Sequence, residues 1–156
     1  MIKVTRQALA AQPFFRGMAS GELDALAAAA SDVMFPAGHQ VFEDGGHAAR
    51  FWLIQSGCVT LDMLVPGEGR VIIDTIGIGQ LLGVSWLFPP YRWAFGAVCL
   101  EPVEAFEFDA VAVRECCATD PALGFELSQR LIRVLATRLQ STRTRLTARS
   151  QGAALQ

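Results

Sequence analysis

The stretch FPAGHQVFEDGGHAARFWLIQSGCVTLDM, Phe35 to Met63, consists of short apolar runs separated by turns that carry glycine. In its last run Val59, Leu61 and Met63 alternate with Thr60 and Asp62, the period of a strand that shows one face to a core. The alternation returns at Val71 and Ile73, and again at Phe106 and Phe108 around Glu107. Gly38, Gly45, Gly46, Gly57, Gly67 and Gly69 stand in the turns, where hairpins need residues that tolerate positive φ. From about Ser31 to Asp109 the chain therefore reads as a small antiparallel barrel or sandwich.

Helices flank it. SGELDALAAAA, from Ser20, is helical by composition, with Ser20 as its N-cap and Glu22 and Asp24 in the first turn. Beyond the strands, Asp109 caps a short helix running through Cys117. The pair Asp120-Pro121 then opens a long one. In that helix Phe125, Ile132, Leu139 and Leu146 recur every seven residues, with Ser128, Leu135 and Thr142 at the intermediate positions. A second face, Leu127, Leu131 and Val134, is apolar as well and lies on the barrel. Little of the domain remains near the arginine-rich end to bury Leu139 and Leu146. The sequence thus predicts a homodimer through Phe125, Ile132, Leu135, Leu139 and Leu146.

At 156 residues and 52% hydrophobic, the chain has the size and apolar content for one domain spanning 1–156, with strands over about 32–108 and a dimerisation helix over about 121–149. The longest charge-free run, Thr75 to Tyr91, is broken by Gly77, Gly79, Gly83, Pro89 and Pro90, so no membrane span is expected. QALAAQPFFRG, after Lys3 and Arg6, is too interrupted for the apolar core of a secretory signal, and a cytoplasmic location follows.

Cys58, Cys99, Cys116 and Cys117 form no CxxC pair, and His39 and His47 are the only histidines. No metal site is expected, and the thiols read as reduced and idle. Charge is uneven: Met1 to Glu126 holds seven basic and fifteen acidic residues, while Leu127 to Gln156 holds six arginines and no acid. Such a segment is either a solvated helix face favoured by the helix dipole or an attraction for polyanions.

The combined pattern resembles the cyclic nucleotide-binding domain of Crp/Fnr-type bacterial regulators. FPAGHQVFEDGG looks like the family's opening turn and strand. RFWLIQSGCVTLDM looks like its hydrophobic strand, Ser-Gly turn and next strand, and IGIGQLLGVSWLF like the glycine pair that leads into its phosphate-binding cassette. The resemblance covers about residues 10 to 150. It implies a mainly β fold, an antiparallel β-roll (double-stranded β-helix, or jelly-roll barrel) with an N-terminal helix and a long C-terminal helix.

It also implies a site. In the family, backbone N–H groups of a short helix face a cyclic phosphate, an arginine pairs its charge, and a glutamate accepts from the ribose 2′-hydroxyl. Helix N-termini concentrate free donors and arginine is the best fork for phosphate. On this chain the cassette begins at Gly83, continues through Val84 and Ser85, and finds its arginine at Arg92 beside Trp93. Val84 stands where the resemblance implies glutamate. Burying the ribose hydroxyl against it would cost roughly 1–3 kcal/mol, about ten- to a hundredfold in affinity.

Trp86, Phe88, Tyr91, Trp93 and Phe95 crowd the same turn, either packing the barrel mouth or walling a site for a flat ligand. The resemblance implies a regulatory domain that senses a small anionic ligand, a cyclic nucleotide such as cyclic AMP or a relative, and signals to a protein partner through its helical dimer. The alternative is a ligand-free fold serving as a dimeric interaction module. An enzyme of the cupin type is not expected, because two separated histidines cannot build its metal site. No helix-turn-helix follows the long helix, so sequence-specific DNA binding by this chain alone is not expected either.

Overall fold

Alternating apolar residues and glycine turns build eight strands among the described residues. They are β1 (Ala30–Phe35), β2 (Gln40–Phe42), β3 (Arg50–Ser56), β4 (Val59–Val65), β5 (Gly69–Ile76), β6 (Leu81–Leu82), β7 (Gly96–Cys99) and β8 (Val103–Asp109). All pairings are antiparallel, in two four-stranded sheets ordered β1-β8-β3-β6 and β2-β7-β4-β5. This is the expected β-roll of jelly-roll type. The computed structural model describes residues 3–154, so residues 1, 2, 155 and 156 of the expected domain lie outside the described residues.

Four helices flank the sheets: α1 (Arg6–Ala10), α2 (Ser20–Ala28), α3 (Ala110–Thr119) and α4 (Pro121–Ala154). The Asp109 carboxylate accepts from the N–H of Ala112 at 3.1 Å, and that of Asp120 from Leu123 at 3.4 Å, so both carboxylates satisfy free donors at the helix starts. At α2 the cap differs from expectation. Ala19 is the N-cap, and its N–H donates to Glu22 Oε1 at 3.1 Å. Among the described residues no helix is long and apolar enough to cross a membrane.

The two faces of the β1-β8-β3-β6 sheet divide the aromatic residues. Phe51 of β3 stacks on Phe108 of β8 at 4.7 Å and on Trp86 at 4.1 Å, and Phe108 also meets Phe15 of the N-terminal Pro13–Phe15 turn. That face lies under the helical layer. The opposite face carries Trp52, which meets Phe42 of the other sheet at 5.9 Å between rings, and its register partner Glu107. Glu107 thus points into the roll while Phe106 and Phe108 point out of it, towards the helices. Alternation on β8 is real, but the apolar set faces the helices rather than the roll.

The helix α4 is fastened by arginines. Arg130 donates to the carbonyls of Phe14 at 2.9 Å and Arg16 at 2.6 Å and pairs with Glu126. Arg138 donates to the carbonyl of Leu81, and Arg145 to that of Ile73 at 3.0 Å. Leu127 and Leu131, on the same face, are buried. Half of the arginines of the basic segment therefore bind backbone carbonyls, Arg138 and Arg145 on the barrel and Arg130 on the N-terminal turn; Arg133, Arg143 and Arg149 have no partner among the described residues.

One turn tests the roll's closure. Gly57, between β3 and β4, has φ of +83°, and a Cβ there would lie 2.2 Å from the Pro102 carbonyl oxygen. Gly67 has the same φ but nothing within 4 Å of a built Cβ. Gly57→Ala should cost roughly 2–3 kcal/mol, from the left-handed backbone and the forced shift together, and Gly67→Ala only about 1 kcal/mol. Urea melts of both variants check this. Equal losses would show that the Pro102 approach is not a constraint.

Candidate functional site

The Leu81-Leu82 strand pairs with β3, Leu82 opposite Trp52 and Leu81 opposite Leu53, and delivers the chain to Gly83 at φ of +97°. A single 3-10 turn, Ser85–Leu87, follows. The Leu87 N–H donates to the Val84 carbonyl at 3.3 Å and the Trp86 indole N–H to the Gly83 carbonyl at 3.1 Å. By contrast, the N–H groups of Val84, Ser85 and Trp86 donate to no protein acceptor among the described residues. Val84 and Ser85 are buried, and Trp86 is fully so.

From α3, Arg114 pins the far end of this turn. Its Nη1 donates to the Trp86 carbonyl at 2.6 Å, and its guanidinium lies 4.1 Å over the Tyr91 ring. Sequence reading did not single out Arg114, because one arginine in AVAVRECC carries no spacing signal.

Arg92 and Trp93 take opposite sides of the chain. Arg92 is exposed, its Nη1 donating to the Gly45 carbonyl at 3.0 Å, and its backbone bridges to His47. Trp93 is buried and stacks on Phe42 at 3.9 Å. Its ring covers Gly83 so closely that a Cβ at Gly83 would lie 2.8 Å from Trp93 Cη2 and 3.0 Å from Cζ3. The indole therefore packs directly on Gly83, the residue at which the resemblance begins the cassette. Burying the ring is worth roughly 3–5 kcal/mol, whereas turning a guanidinium inward without a counter-ion is costly. The ring takes the inner position.

Of the remaining aromatic residues, Phe88 is exposed and Tyr91 and Phe95 are half-buried. Beside Trp93 opens a recess of about 360 Å³ lined by Phe42, Glu43, His47, Arg50 and Trp52. At this end of the roll the buried Glu107 accepts from Trp52 Nε1 at 2.9 Å and from Arg50 Nη1 at 2.5 Å. Each of its carboxylate oxygens thus accepts a structural bond.

Among the described residues no three of His, Cys, Asp and Glu lie together as a metal site. Burial pushes the thiols of Cys58, Cys99 and Cys117 up from their ordinary value, and Glu101 raises Cys58 further. They are poor nucleophiles at neutral pH. Cys116 and Cys117 pack against the core at the α3–α4 elbow, where a Cβ at Gly124 would lie 3.3 Å from that of Cys117.

On α4, the five residues of the expected seam behave alike. Phe125, Ile132, Leu135, Leu139 and Leu146 are 44–64% exposed on this chain.

Residues 32–120 match the family model of the cyclic nucleotide-binding domain. The chain is 31% identical over 138 residues to the CRP-like cAMP-activated global transcriptional regulator of Mycobacterium tuberculosis, a match that covers 88% of this chain and 60% of the relative. This chain therefore spans less than two thirds of that regulator's length. Among solved structures it resembles a cyclic nucleotide-binding domain from Methylobacillus flagellatus, at a TM-score of 0.77 and 20% identity, over 88% of this chain and 78% of that one. It also resembles the Thermus thermophilus catabolite activator protein, at a TM-score of 0.67 and 25% identity, over 88% and 63% of the two chains.

Proposed function

The chain belongs to the cyclic nucleotide-binding domain family, and within it we propose a regulatory module that closes its cassette with its own Trp93 and acts through a helix-paired homodimer. The observation that carries this reading is the Trp93 ring over Gly83. A cyclic nucleotide held by Gly83, Val84, Ser85 and Arg92 needs the space that the ring fills, an inward guanidinium where Arg92 faces Gly45, and a ribose acceptor where Val84 has none. The free N–H groups of Val84 to Trp86 support a residual preference for anions, but only behind the ring.

Two terms set the expected affinity. Displacing Trp93 costs roughly 3–5 kcal/mol and the unmet ribose hydroxyl roughly 1–3 kcal/mol, which together move a micromolar site to about millimolar or weaker. Calorimetric titration of the wild-type chain with cyclic AMP and cyclic GMP is therefore expected to show no saturation in the micromolar range. Micromolar binding by the wild type, lost in Arg92→Ala, would overturn the closed-cassette reading in favour of a working sensor.

The signal of such a module leaves through the exposed seam of α4 towards a protein partner. The arginines give little reach to DNA: three of the six bind backbone carbonyls of this chain, and phosphate attraction through Arg133, Arg143 and Arg149 is salt-sensitive and reads no bases.

A further inference from the structure

Away from the cassette, a cleft of about 290 Å³ opens between the Pro13–Phe15 turn, the β5–β6 turn and α4. Phe14, Leu81 and Val134 give it apolar walls, and Thr137, Arg133 and Arg138 give it a polar rim. Arg130 also borders it, but its donors are taken by Phe14, Arg16 and Glu126.

Arg138 is in a different position. It is half-buried, gives one Nη2 bond to the Leu81 carbonyl, and forms no ion pair among the described residues. Burial pushes its guanidinium down from the ordinary value, and Asp74 only partly opposes this, being engaged by Arg145 Nη2 at 3.5 Å. A guanidinium stays charged under such a shift, so a desolvated cation is left with no ion pair among the described residues, Asp74 acting on it only at longer range. None of its nitrogens is sealed off without a partner, which leaves the other donors reachable from open space. Arg133, on the same rim, is exposed and without a partner among the described residues.

We propose that this cleft is a second ligand site, for a small organic anion whose oxyanion group is held by Arg138 and Arg133 and whose short apolar body lies on Phe14, Leu81 and Val134. Two guanidinium forks flanking an apolar slot are the chemistry that recognises a carboxylate or phosphate ester. The volume is at the small end for ligand sites, roughly 300–1,000 Å³, so the body is about one ring or a short chain. Neither Arg92 nor Trp93 lines the cleft, and the site stands whether or not the cassette binds a nucleotide.

The test titrates the full chain with benzoate and phenyl phosphate, with benzamide as the neutral isostere, by calorimetry and thermal shift. Saturable binding of at least one anion on the order of 0.1–1 mM is expected, with benzamide at least about tenfold weaker. Whichever anion binds more tightly identifies carboxylate or phosphate as the natural group. Arg138→Gln should weaken binding roughly ten- to a hundredfold and Arg133→Gln, at an exposed position that leaves the fold intact, about tenfold. Val134→Trp keeps both charges and fills the slot, and should abolish binding; each variant's melting temperature without ligand reports its fold. No saturable binding of either anion, equal binding of benzamide, or binding undiminished in folded Arg133→Gln and Val134→Trp would each overturn the proposal.

Discussion

Trp93→Ser combined with Val84→Glu is expected to give a chain that cyclic nucleotides stabilise, in contrast to the weak or absent response proposed for the wild type. Removing the buried indole takes away its stack on Phe42 and its cover over Gly83, at a cost of roughly 3–5 kcal/mol. At this chain length that lowers the melting temperature by about 10 °C. The space released lies beside the free N–H groups of Val84 to Trp86, and the new glutamate supplies the ribose acceptor. Arg92 gives up only an exposed bond to Gly45, worth about 1 kcal/mol, to turn inward. Cyclic AMP at a hundred times its dissociation constant should then return about 2.7 kcal/mol. Val84→Glu alone should only destabilise, because with Trp93 in place the carboxylate is buried without a partner. If the double variant folds and neither cyclic AMP nor cyclic GMP moves its melting temperature, the ring is not what excludes the nucleotide.

The strands were legible because glycine turns and alternation are local: Gly38, Gly45, Gly57, Gly67 and Gly69 all adopt positive φ. The helix starts at Asp109 and Asp120 were legible for the same reason. Parity was not. Phe106 and Phe108 alternate with Glu107 whichever way β8 faces, and only the helical layer over the sheet turns them outward while Glu107 enters the roll. The same ambiguity hid the cassette's outcome, since neighbours Arg92 and Trp93 must face opposite ways and sequence alone does not say which goes in. The arginines of α4 read as one charged block, yet three of them meet carbonyls 57 to 116 residues away along the chain, a distance at which no pattern speaks.

Leu139→Glu is expected to change the chain from dimer to monomer while leaving its fold in place. α4 has 34 residues; its inner face is held by Leu127, Leu131, Arg130, Arg138 and Arg145, and its outer face presents Phe125, Ile132, Leu135, Leu139 and Leu146. These recur at the spacing that packs knobs into holes, so the proposed second copy, laid parallel, would cover them with the same set. Leu139 is 53% exposed on the single chain, so a glutamate there meets water in a monomer and costs its fold little. In the dimer it would be buried beside its symmetry mate. An uncompensated buried charge costs roughly 3–5 kcal/mol, and symmetry counts it twice, which raises the dimer dissociation constant on the order of ten-thousandfold or more. Light scattering after gel filtration at micromolar concentration should give twice the chain mass for wild type and one chain mass for the variant, with matching circular dichroism. A monomeric wild type, or a dimer that survives Leu139→Glu, would show that a second copy does not cover this face and that the regulatory signal does not leave through a helix-paired dimer.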